Sequence, residues 1–427
     1  MSEASTPTRV PHCPVCGGVP KALLALAHQP IYQHPVPVDA QIPGPYHVDL
    51  QWVSCKSCAH AWQPEFDQQL LKNIYTSHYY TPAPVGLGVA FRNSFLSVLD
   101  SFKISGRAKV LLEVGASDGD VLAELKRKSG ARLAYAFEPN QENATMARDR
   151  GLTVFERFFG DGDSCELPEQ PDLIYARHVI EHVFNFAGFF SAVESIAKPS
   201  TDLVLETPSL DFHAVRGSLE PFHIEHIHVF SGSSLSRIAE RYGWHLVHQS
   251  TTQAGNLIAH FKRHPETDQG GNPAPLIATK LGNLQSAANS YKTRMSQLVS
   301  ARKFVIWGAG SSGANVMNLI GVEPAYWVDG NPNKFGKRFI GCHSVIVDPQ
   351  SAFMKIKQDP SGDYVLIIAS TFLDEIVPRL NELEWTQATY DLSGAPVSLD
   401  PRRVEAGLRD ERSTLEISAS DIVGTKA

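Results

Sequence analysis

Several patterns are missing from this sequence, and each absence excludes a class of protein. The 427 residues include 38 Lys and Arg against 45 Asp and Glu, a net charge of -7, and no run of basic residues that could follow a phosphate backbone. No apolar stretch approaches the ~20 residues needed to span a bilayer. The N-terminal MSEASTPTRVPHC lacks the basic-then-apolar order of a signal peptide. We therefore expect a cytoplasmic protein with no nucleic-acid or membrane partner.

Cysteine is also scarce, and its placement is informative. Of six cysteines, four form two C-x2-C pairs separated by 38 residues. In a reducing compartment this pattern indicates metal binding, with a redox pair or unligated core thiols as the alternatives. Because protein fills all four positions of a tetrahedral thiolate site, the expected zinc ion is structural. The flanking His12 and His60 are expected to be solvated loop residues. The predicted zinc ligands are Cys13, Cys16, Cys55 and Cys58.

Periodicity and proline or glycine punctuation divide the chain into five parts. Short apolar runs such as VLLEVG and LIYARHV alternate with helical segments, which is typical of a parallel α/β sheet. The predicted parts are a zinc-binding domain at 1–84, a first α/β unit at 85–266, a linker helix at 267–300, a second α/β unit at 301–400 and a flexible tail at 401–427.

The segment LLEVGASDG, residues 111–119, predicts a nucleotide-binding turn. A strand leads through small residues into a helix, so the backbone can approach a ligand at the helix N-terminus. The next strand ends in Glu138 about 20 residues later, where a carboxylate can accept both ribose hydroxyls. This spacing suits NAD as well as S-adenosylmethionine. Asp118 and Glu138 could instead be a helix cap and a strand end.

Two features favour S-adenosylmethionine. An acid, Glu113, lies inside the strand before the turn, and PDLIYARHVIEHV has the polar strand end expected of methyltransferases. We therefore predict a Rossmann-type methyltransferase domain at 85–266. The predicted cofactor-binding residues are Glu113, Gly115, Ser117, Asp118, Gly119, Glu138 and His178.

Histidines cluster in two segments, ARHVIEHV and PFHIEHIHVFS. Both lie at strand ends, where the substrate of an open α/β sheet meets side chains. General acid–base chemistry is favoured, because imidazole titrates near neutral pH and a neighbouring carboxylate can fix its tautomer. A metal site and purely structural roles are alternatives, since the first two histidines have i, i+4 spacing. The cluster comprises His178, His182, His223, Glu225, His226 and His228.

The order of these motifs resembles the three-domain C-methyltransferases that act on nucleotide-linked deoxysugars. The resemblance spans about residues 13–395 and includes WGAGSSGANVM and WVDGNPNKFGKRFIG near the end. It implies a zinc-binding N-terminal domain, an S-adenosylmethionine-binding Rossmann domain, and a C-terminal Rossmann-like domain that helps hold the nucleotide of the sugar. The implied reaction is methylation at the carbon beside a keto group, usually C3, through an enolate.

The resemblance also assigns roles within the active site. The family's base is the last histidine of a Tyr-His-Glu-His segment, which places Glu225 beside the candidate base His226. His182 is expected to orient the sugar or to polarise its keto oxygen. A family tyrosine corresponds to Tyr79 or Tyr80. This chain departs from the family where His223 replaces tyrosine, Ile224 replaces histidine and His178 replaces asparagine. The predicted catalytic residues are His226, Glu225, His182, His223 and Tyr80.

A second glycine-rich turn follows the strand KFVIW. Its G-x-G-x-x-G pattern, with an acid about 20 residues later, predicts NAD binding when taken alone. The resemblance instead implies contacts with the substrate nucleotide and no redox step, and a non-binding scaffold is a further alternative. The predicted nucleotide-binding residues are Gly308, Gly310, Gly313, Asp329 and Lys334.

The favoured function is therefore C-methylation of a small-molecule substrate, a nucleotide-linked keto sugar, by a monomer or small homo-oligomer. An O- or N-methyltransferase acting on another small metabolite shares the cofactor site but needs no carbon-acid base. A third hypothesis is an NAD-dependent oxidoreductase that uses the second turn, and a fourth is a zinc-ribbon binding protein.

Overall fold

A computed structural model describes residues 7–42, 44–78, 87–160, 167–263, 281–370, 373–392 and 394–399. Within these ranges the chain forms an N-terminal antiparallel sheet, a central seven-stranded sheet and a C-terminal five-stranded sheet, with helices around the last two. The α/β fold class predicted from the sequence is confirmed. No helix in the described ranges is long and apolar enough to cross a membrane.

The N-terminal sheet contains a strand from a distant part of the chain. β2 pairs antiparallel with β3, β3 with β4, and β4 with β11 of the histidine-rich segment, while β1 pairs separately with β5. The elements are β1 Thr8–Arg9, β2 Pro20–Pro30, β3 His47–Cys55, β4 Ala61–Trp62, β5 Glu65–Phe66, α1 Gln68–Asn73, a π-helix at Ile74–His78, and β11 His228–Val229.

The central sheet has the order β12-β13-β10-β9-β6-β7-β8. β6 to β10 run parallel, whereas β13 lies antiparallel between β10 and β12. The parallel strands read as continuous apolar runs because helices cover both faces. The strands are β6 Val110–Val114, β7 Leu133–Phe137, β8 Thr153–Phe155, β9 Leu173–Arg177, β10 Asp202–Pro208, β12 His245–Thr251 and β13 Asn256–Lys262.

The strand order of the central sheet reverses between β6 and β9. In open α/β sheets, ligands bind outside the carboxyl ends of the strands at such a reversal. A 3-10 helix at Ile180–His182 follows β9 on this side of the sheet. The helices are α2 Leu87–Ser101, α3 Asp120–Ser129, α4 Gln141–Asp149, α5 Phe186–Ile196, α6 Leu210–Arg216 and α7 Gly232–Arg241.

The C-terminal sheet is entirely parallel, in the order β16-β15-β14-β17-β18. A long helix, α8 Leu284–Ser300, precedes it within the segment predicted as a linker helix. The other elements are β14 Lys303–Trp307, α9 Ser311–Ile320, β15 Tyr326–Val328, a 3-10 helix at Pro332–Lys334, β16 Ile346–Val347, α10 Pro349–Gln358, β17 Tyr364–Ile368, α11 Leu373–Glu382 and β18 Thr389–Tyr390.

The N-terminal unit contacts both α/β units. β11 joins the N-terminal sheet from the middle of the chain. Val36 forms a β-bridge with Arg338, and the buried Gln33 amide donates to Asn315 Oδ1 at 3.1 Å. The predicted boundary after residue 84 therefore separates segments that share one sheet. The predicted tail at 401–427 lies outside the described residues.

Candidate active site

A cavity of about 320 Å³ opens at the carboxyl ends of β6, β7 and β9, at the reversal of strand order. Aromatic side chains line it together with the cationic Lys72, Arg157 and Arg177. The aromatic residues are Tyr75, Phe137, Phe158, Phe159, Phe184 and Phe189. A flat hydrophobic molecule that carries polar groups at one end would suit such a wall.

The predicted glycine turn forms one side of this cavity. Gly115 follows β6 with φ 70°, and a Cβ there would lie 2.5 Å from Val179 Cγ2, so the position requires glycine. Ser117 adopts φ 52°, which directs the chain into α3. The amides of Gly115 and Ala116 both donate to the carbonyl of Phe137, at 2.8 and 3.1 Å, and so fix the turn against β7.

Glu138 lies at the end of β7 and lines the same cavity. Its Oε2 accepts a hydrogen bond from the Ser117 amide at 2.8 Å, and its Oε1 accepts one from the Asn140 amide at 2.8 Å. Burial raises the pKa of this carboxyl, and the two backbone donors partly offset the rise. The carboxylate is thus fixed at the cavity edge with lone pairs left for further donors.

Three of the predicted cofactor residues lie outside the cavity lining. Glu113 accepts a hydrogen bond from the Tyr175 hydroxyl at 3.0 Å beneath the turn, and burial raises its pKa to about 8. Asp118 forms an ion pair with Arg150 at 2.7 Å. A Cβ on Gly119 would lie 2.5 Å from a methyl group of Leu152. These residues support the turn from behind.

His178 lines the cavity and is tied to a buried acidic network. Its Nδ1 lies 3.2 Å from Glu181 Oε1, and its Nε2 lies 3.3 Å from the Asn256 amide, which donates in turn to Glu206. Burial opposes the charged imidazolium, but the carboxylates of Glu181 and Glu206 outweigh it, so the pKa of His178 is raised.

His182 and His226 face each other beside the cavity, with ring centroids 4.9 Å apart. His182 Nδ1 donates to the carbonyl oxygen of Glu225 at 2.7 Å, and His226 Nδ1 donates to that of Pro221 at 2.9 Å. Burial lowers the pKa of both rings. Each imidazole is therefore neutral with its lone pair on Nε2, which is the state a proton acceptor needs.

His223, the residue that replaces the family tyrosine, packs against this pair. Its ring centroid lies 3.8 Å from that of His226, and burial lowers its pKa to about 3. His223 is therefore neutral and places no positive charge next to His226.

Sequence reasoning missed Tyr75, which the π-helix places in the cavity wall. Its hydroxyl donates to the Glu225 carbonyl at 3.2 Å and lies 2.5 Å from His182 Nδ1. Tyr79 and Tyr80, the residues expected to fill this role, lie outside the described residues. The segment IYTSHYYTP offers three tyrosines, and its pattern does not fix the register.

Gln63 from the N-terminal unit was also missed. Its buried side-chain amide reaches the carbonyl oxygens of His223 and Ile224 at 3.2 Å each and that of His226 at 2.7 Å, while its backbone N–H donates to Ile227 O at 3.0 Å. One side chain thus fixes the loop that carries His226. No local pattern in the sequence identifies such a residue.

His60 was expected to be a solvated loop residue, and that expectation is wrong. Its ring is fully buried and lies 3.1 Å from His228 Nδ1, while His228 Nε2 lies 3.2 Å from the carbonyl of Val183. The pairing of β4 with β11 brings these two histidines together across the unit boundary. His12, by contrast, is exposed as expected.

Glu225 is buried next to a histidine of the N-terminal unit. It is 4% exposed, and burial raises its pKa to about 7. His34 Nε2, from the N-terminal unit, lies 3.6 Å from Glu225 Oε1. Burial, together with the nearby charge of Lys334, lowers the pKa of His34 to about 4. All three units therefore meet next to the histidine loop.

The second glycine turn repeats the arrangement of the first. Asp329 follows β15 and accepts hydrogen bonds from the amides of Ala309 and Asn331, at 2.8 Å each, as Glu138 does in the central unit. Asp329 is also paired with Lys334 Nζ at 2.9 Å, so neither side chain is an isolated charge. This pairing places a cation where a dinucleotide site presents its ribose-binding carboxylate.

The three glycines of the second turn differ in how closely neighbouring atoms approach them. A Cβ on Gly308 would lie 2.6 Å from Ala369 O, and one on Gly313 would lie 2.1 Å from Gly308 O. Gly310 has no heavy atom within 4 Å of that position. Packing thus accounts for the first and third glycines, and the middle one leaves open space at the helix N-terminus.

The four paired cysteines converge at one point. The Sγ atoms of Cys13 and Cys58 are 3.6 Å apart, and Cys16 Sγ lies 3.4 Å from both Cys55 Sγ and Cys58 Sγ. Tetrahedral coordination with Zn–S bonds of ~2.3 Å would place the sulfurs ~3.8 Å apart. A Cβ on Gly18 would lie 2.7 Å from Cys55 Sγ, so glycine is required there. The cluster could hold a metal ion.

Two family models match this chain. A methyltransferase-domain model matches residues 93–249, which contain the first glycine turn and both histidine segments. A model of the C-methyltransferase C-terminal domain matches residues 281–390, which contain α8 and the second sheet. No curated protein matches the chain significantly.

Solved structures resemble only part of the chain. A magnesium protoporphyrin IX methyltransferase from Synechocystis with bound S-adenosylmethionine is 13% identical at a TM-score of 0.34, over 46% of this chain and 97% of its own. An S-adenosylmethionine-dependent methyltransferase from Aquifex aeolicus is 16% identical at 0.32, over 47% and 100%. The N-methyltransferase NodS from Bradyrhizobium japonicum is 15% identical at 0.31, over 41% and 95%.

The methyltransferase-domain match covers the turn and strands that build the cavity, and the second match covers the sheet that carries the second glycine turn. An NAD-dependent oxidoreductase is not needed to explain either turn. The chain is an S-adenosylmethionine-dependent methyltransferase that carries a C-methyltransferase C-terminal domain.

Proposed function

We propose that this enzyme transfers the methyl group to carbon, at the position beside the keto group of a nucleotide-linked keto-deoxysugar, with C3 as the favoured position. The observation that carries the proposal is the neutral His226, whose Nδ1 is tied to the Pro221 carbonyl so that Nε2 is left as a proton acceptor. Carbon methylation needs such a base to remove the carbon-bound proton. An oxygen or nitrogen atom already carries a lone pair and can attack the methyl group without one. The C-methyltransferase C-terminal domain supports the same choice.

The cofactor is proposed to bind along the first glycine turn. The Glu138 carboxylate would accept its ribose hydroxyls, and Gly115, Ser117 and His178 would contact it from the cavity wall. When bound, S-adenosylmethionine supplies an electrophilic methyl group on its sulfonium. Glu113, Asp118 and Gly119 act through the turn that they support.

His226 is proposed to remove the proton from the carbon beside the keto group. His182 would orient the sugar rather than polarise its keto oxygen, because its Nδ1–H is committed to the Glu225 carbonyl and its Nε2 can only accept. The Tyr75 hydroxyl lines the cavity next to His182, and it would donate to the enolate oxygen by turning its O–H away from the Glu225 carbonyl. Holding base and substrate in one geometry should supply much of the rate.

The substrate nucleotide is proposed to lie toward the C-terminal unit, near the open space at Gly310. Lys334 could offer its charge to a phosphate there by exchanging part of its pairing with Asp329. Gly308 and Gly313 would then shape the turn rather than touch the ligand. The proximity of Lys334 to His34, and of His34 to Glu225, supports one continuous substrate site.

The four cysteines are proposed to hold a structural Zn²⁺, because their sulfurs converge and Gly18 leaves room for them. All four ligands come from protein, so the ion would take no part in the chemistry. It would fix the end of β3, and through β4 it would fix β11 and the histidine loop.

The proposed ribose contact predicts that Glu138→Gln weakens binding of S-adenosylmethionine about 10- to 100-fold, since a hydrogen bond to a charged group contributes about 1.5–3 kcal/mol. A glutamine has one acceptor oxygen and cannot replace both carboxylate oxygens. Titration calorimetry measures the effect, and Glu142→Gln, an exposed acid in α4, is the matched control. An unchanged affinity would assign the ribose contact elsewhere.

The zinc proposal predicts that the cysteine cluster retains one equivalent of Zn²⁺ per chain after dialysis, as measured by elemental analysis, and that Cys58→Ser loses this equivalent. The variant should also unfold at lower temperature, because metal binding contributes directly to the folding of such knuckles. Cys342→Ser, a buried cysteine in the C-terminal unit, is the control and should retain the metal. Full zinc content in Cys58→Ser would contradict the assignment.

The base assignment predicts that the enzyme exchanges the substrate's carbon-bound proton with deuterated water when S-adenosylmethionine is omitted. His226→Gln should slow both the exchange and methyl transfer about 10²- to 10⁴-fold, the usual contribution of a general base. Exchange is followed by proton NMR of a nucleotide-linked 4-keto-6-deoxyhexose, with a blank lacking enzyme.

His245→Ala, a change at an exposed histidine of β12, is the control and should exchange at the full rate. Methyl transfer with no exchange above the blank would favour an O- or N-methyltransferase. Full activity in His226→Gln would show that another group is the base.

A further inference from the structure

Three side chains beside the cavity present ligand atoms to one another. The carboxylate of Glu181 and one ring nitrogen each of His182 and His226 lie within 4.8 Å of one another. Glu181 and His182 are consecutive on the 3-10 helix after β9, and His226 approaches from the loop that Gln63 fixes. Three such atoms can surround a single ion.

Both histidines are held in a tautomer that can bind a metal through Nε2. The Nδ1–H of His182 is bound to the Glu225 carbonyl and that of His226 to the Pro221 carbonyl, so each ring directs an Nε2 lone pair elsewhere. Histidine ligands of metals are typically oriented in this way, with the second nitrogen bound to a backbone carbonyl or carboxylate. The protein therefore orients the two imidazole rings before any metal ion binds.

The carboxylate of Glu181 has an unused oxygen. Its side chain is fully buried, Oε1 lies 3.2 Å from His178 Nδ1, and Oε2 has no hydrogen-bond partner among the described residues. A buried carboxylate oxygen without a donor has lost its hydration with no hydrogen bond to compensate for it, which destabilises the folded state. A cation between Glu181 and the two histidines would remove this cost.

We infer that Glu181, His182 and His226 form a second metal site, for a divalent transition cation such as Zn²⁺ or Co²⁺. Two imidazoles and one carboxylate suit these ions, whereas Mg²⁺ and Ca²⁺ prefer oxygen ligands. The site shares no residue with the cysteine cluster. Three protein ligands leave at least one coordination position, and His182 lines the cavity from which it could be filled.

Metal binding at this site competes with catalysis, and this part of the inference depends on the proposed function. The single lone pair of His226 Nε2 can take a proton from the substrate or bind a cation, but it cannot do both. Occupancy would therefore inhibit carbon methylation.

The test uses the full-length enzyme with one equivalent of Zn²⁺ already bound, titrated with Co²⁺ alone. We expect one further equivalent, with weak visible absorption from nitrogen and oxygen ligands and without the intense near-ultraviolet band of cobalt thiolate. Glu181→Gln and His226→Gln should each weaken Co²⁺ binding. Because each variant removes a ligand itself, the loss of affinity should exceed the ~10–100-fold that follows when a residue hydrogen-bonded to a ligand is removed.

Glu323→Gln is the matched control, because it changes a His–Glu pair in which His343 is 95% exposed. Thermal unfolding of each variant shows whether it has kept its fold. The site would be overturned if the wild-type enzyme bound no second equivalent of Co²⁺, or if Glu181→Gln and His226→Gln both still bound it. A thiolate absorption band would also overturn it.

Inhibition is measured separately, by adding Zn²⁺ to the methyl-transfer reaction. We expect inhibition in the wild-type enzyme and in Glu323→Gln, at concentrations that match Co²⁺ binding. Inhibition that does not track the binding, or activation by the metal, would overturn the competition. Activation would also remove His226 from the role of base, whereas failure of Co²⁺ to bind would leave that role untouched.

Discussion

The backbone of Ile227 is hydrogen-bonded on both sides, and the site depends on these two bonds. Its N–H donates to Glu181 O at 3.0 Å in the central unit, and its carbonyl accepts from the Gln63 N–H at 3.0 Å in the N-terminal unit. The chain on either side of it carries His226 and the β11 strand. The bonds thus set the position of His226 relative to His182, while the Gln63 side chain prevents the loop from shifting.

Through this arrangement the N-terminal unit contributes directly to the position of the histidine loop. The cysteine cluster ends β3, β3 pairs with β4, and β4 pairs with β11. A distortion at the cysteines would therefore reach the histidine loop through backbone hydrogen bonds. In the same loop, Glu225 lies near His34 of the N-terminal unit. The positive charge of Lys334, in the C-terminal unit, contributes to the lowered pKa of His34.

The parts of the site that could be predicted are those whose chemistry is local in the sequence. The first glycine turn, Glu138 and the two cysteine pairs each show a short spacing with a geometric cause, and the structure places them as that geometry requires. Alternation of apolar runs and helical segments predicted the α/β class for the same reason.

The remaining features depend on contacts between distant segments. Gln63 and His34 carry no motif, and the burial of His60 follows from the strand pairing of Trp62 with His228, which no periodicity indicates. Asp118 has the spacing of a ligand residue, but its carboxylate is paired with Arg150 at the end of α4 and does not line the cavity. The tautomers of His182 and His226 depend on carbonyl groups that only the folded loop supplies.

The central claim is that the methyl group is transferred to carbon. The most direct measurement uses S-adenosylmethionine labelled with ¹³C in the methyl group and a nucleotide-linked 4-keto-6-deoxyhexose, followed by carbon NMR of the product. The account predicts a labelled methyl group attached to the carbon beside the keto group, with the chemical shift of a C-methyl. A labelled methyl group on oxygen or nitrogen would contradict it.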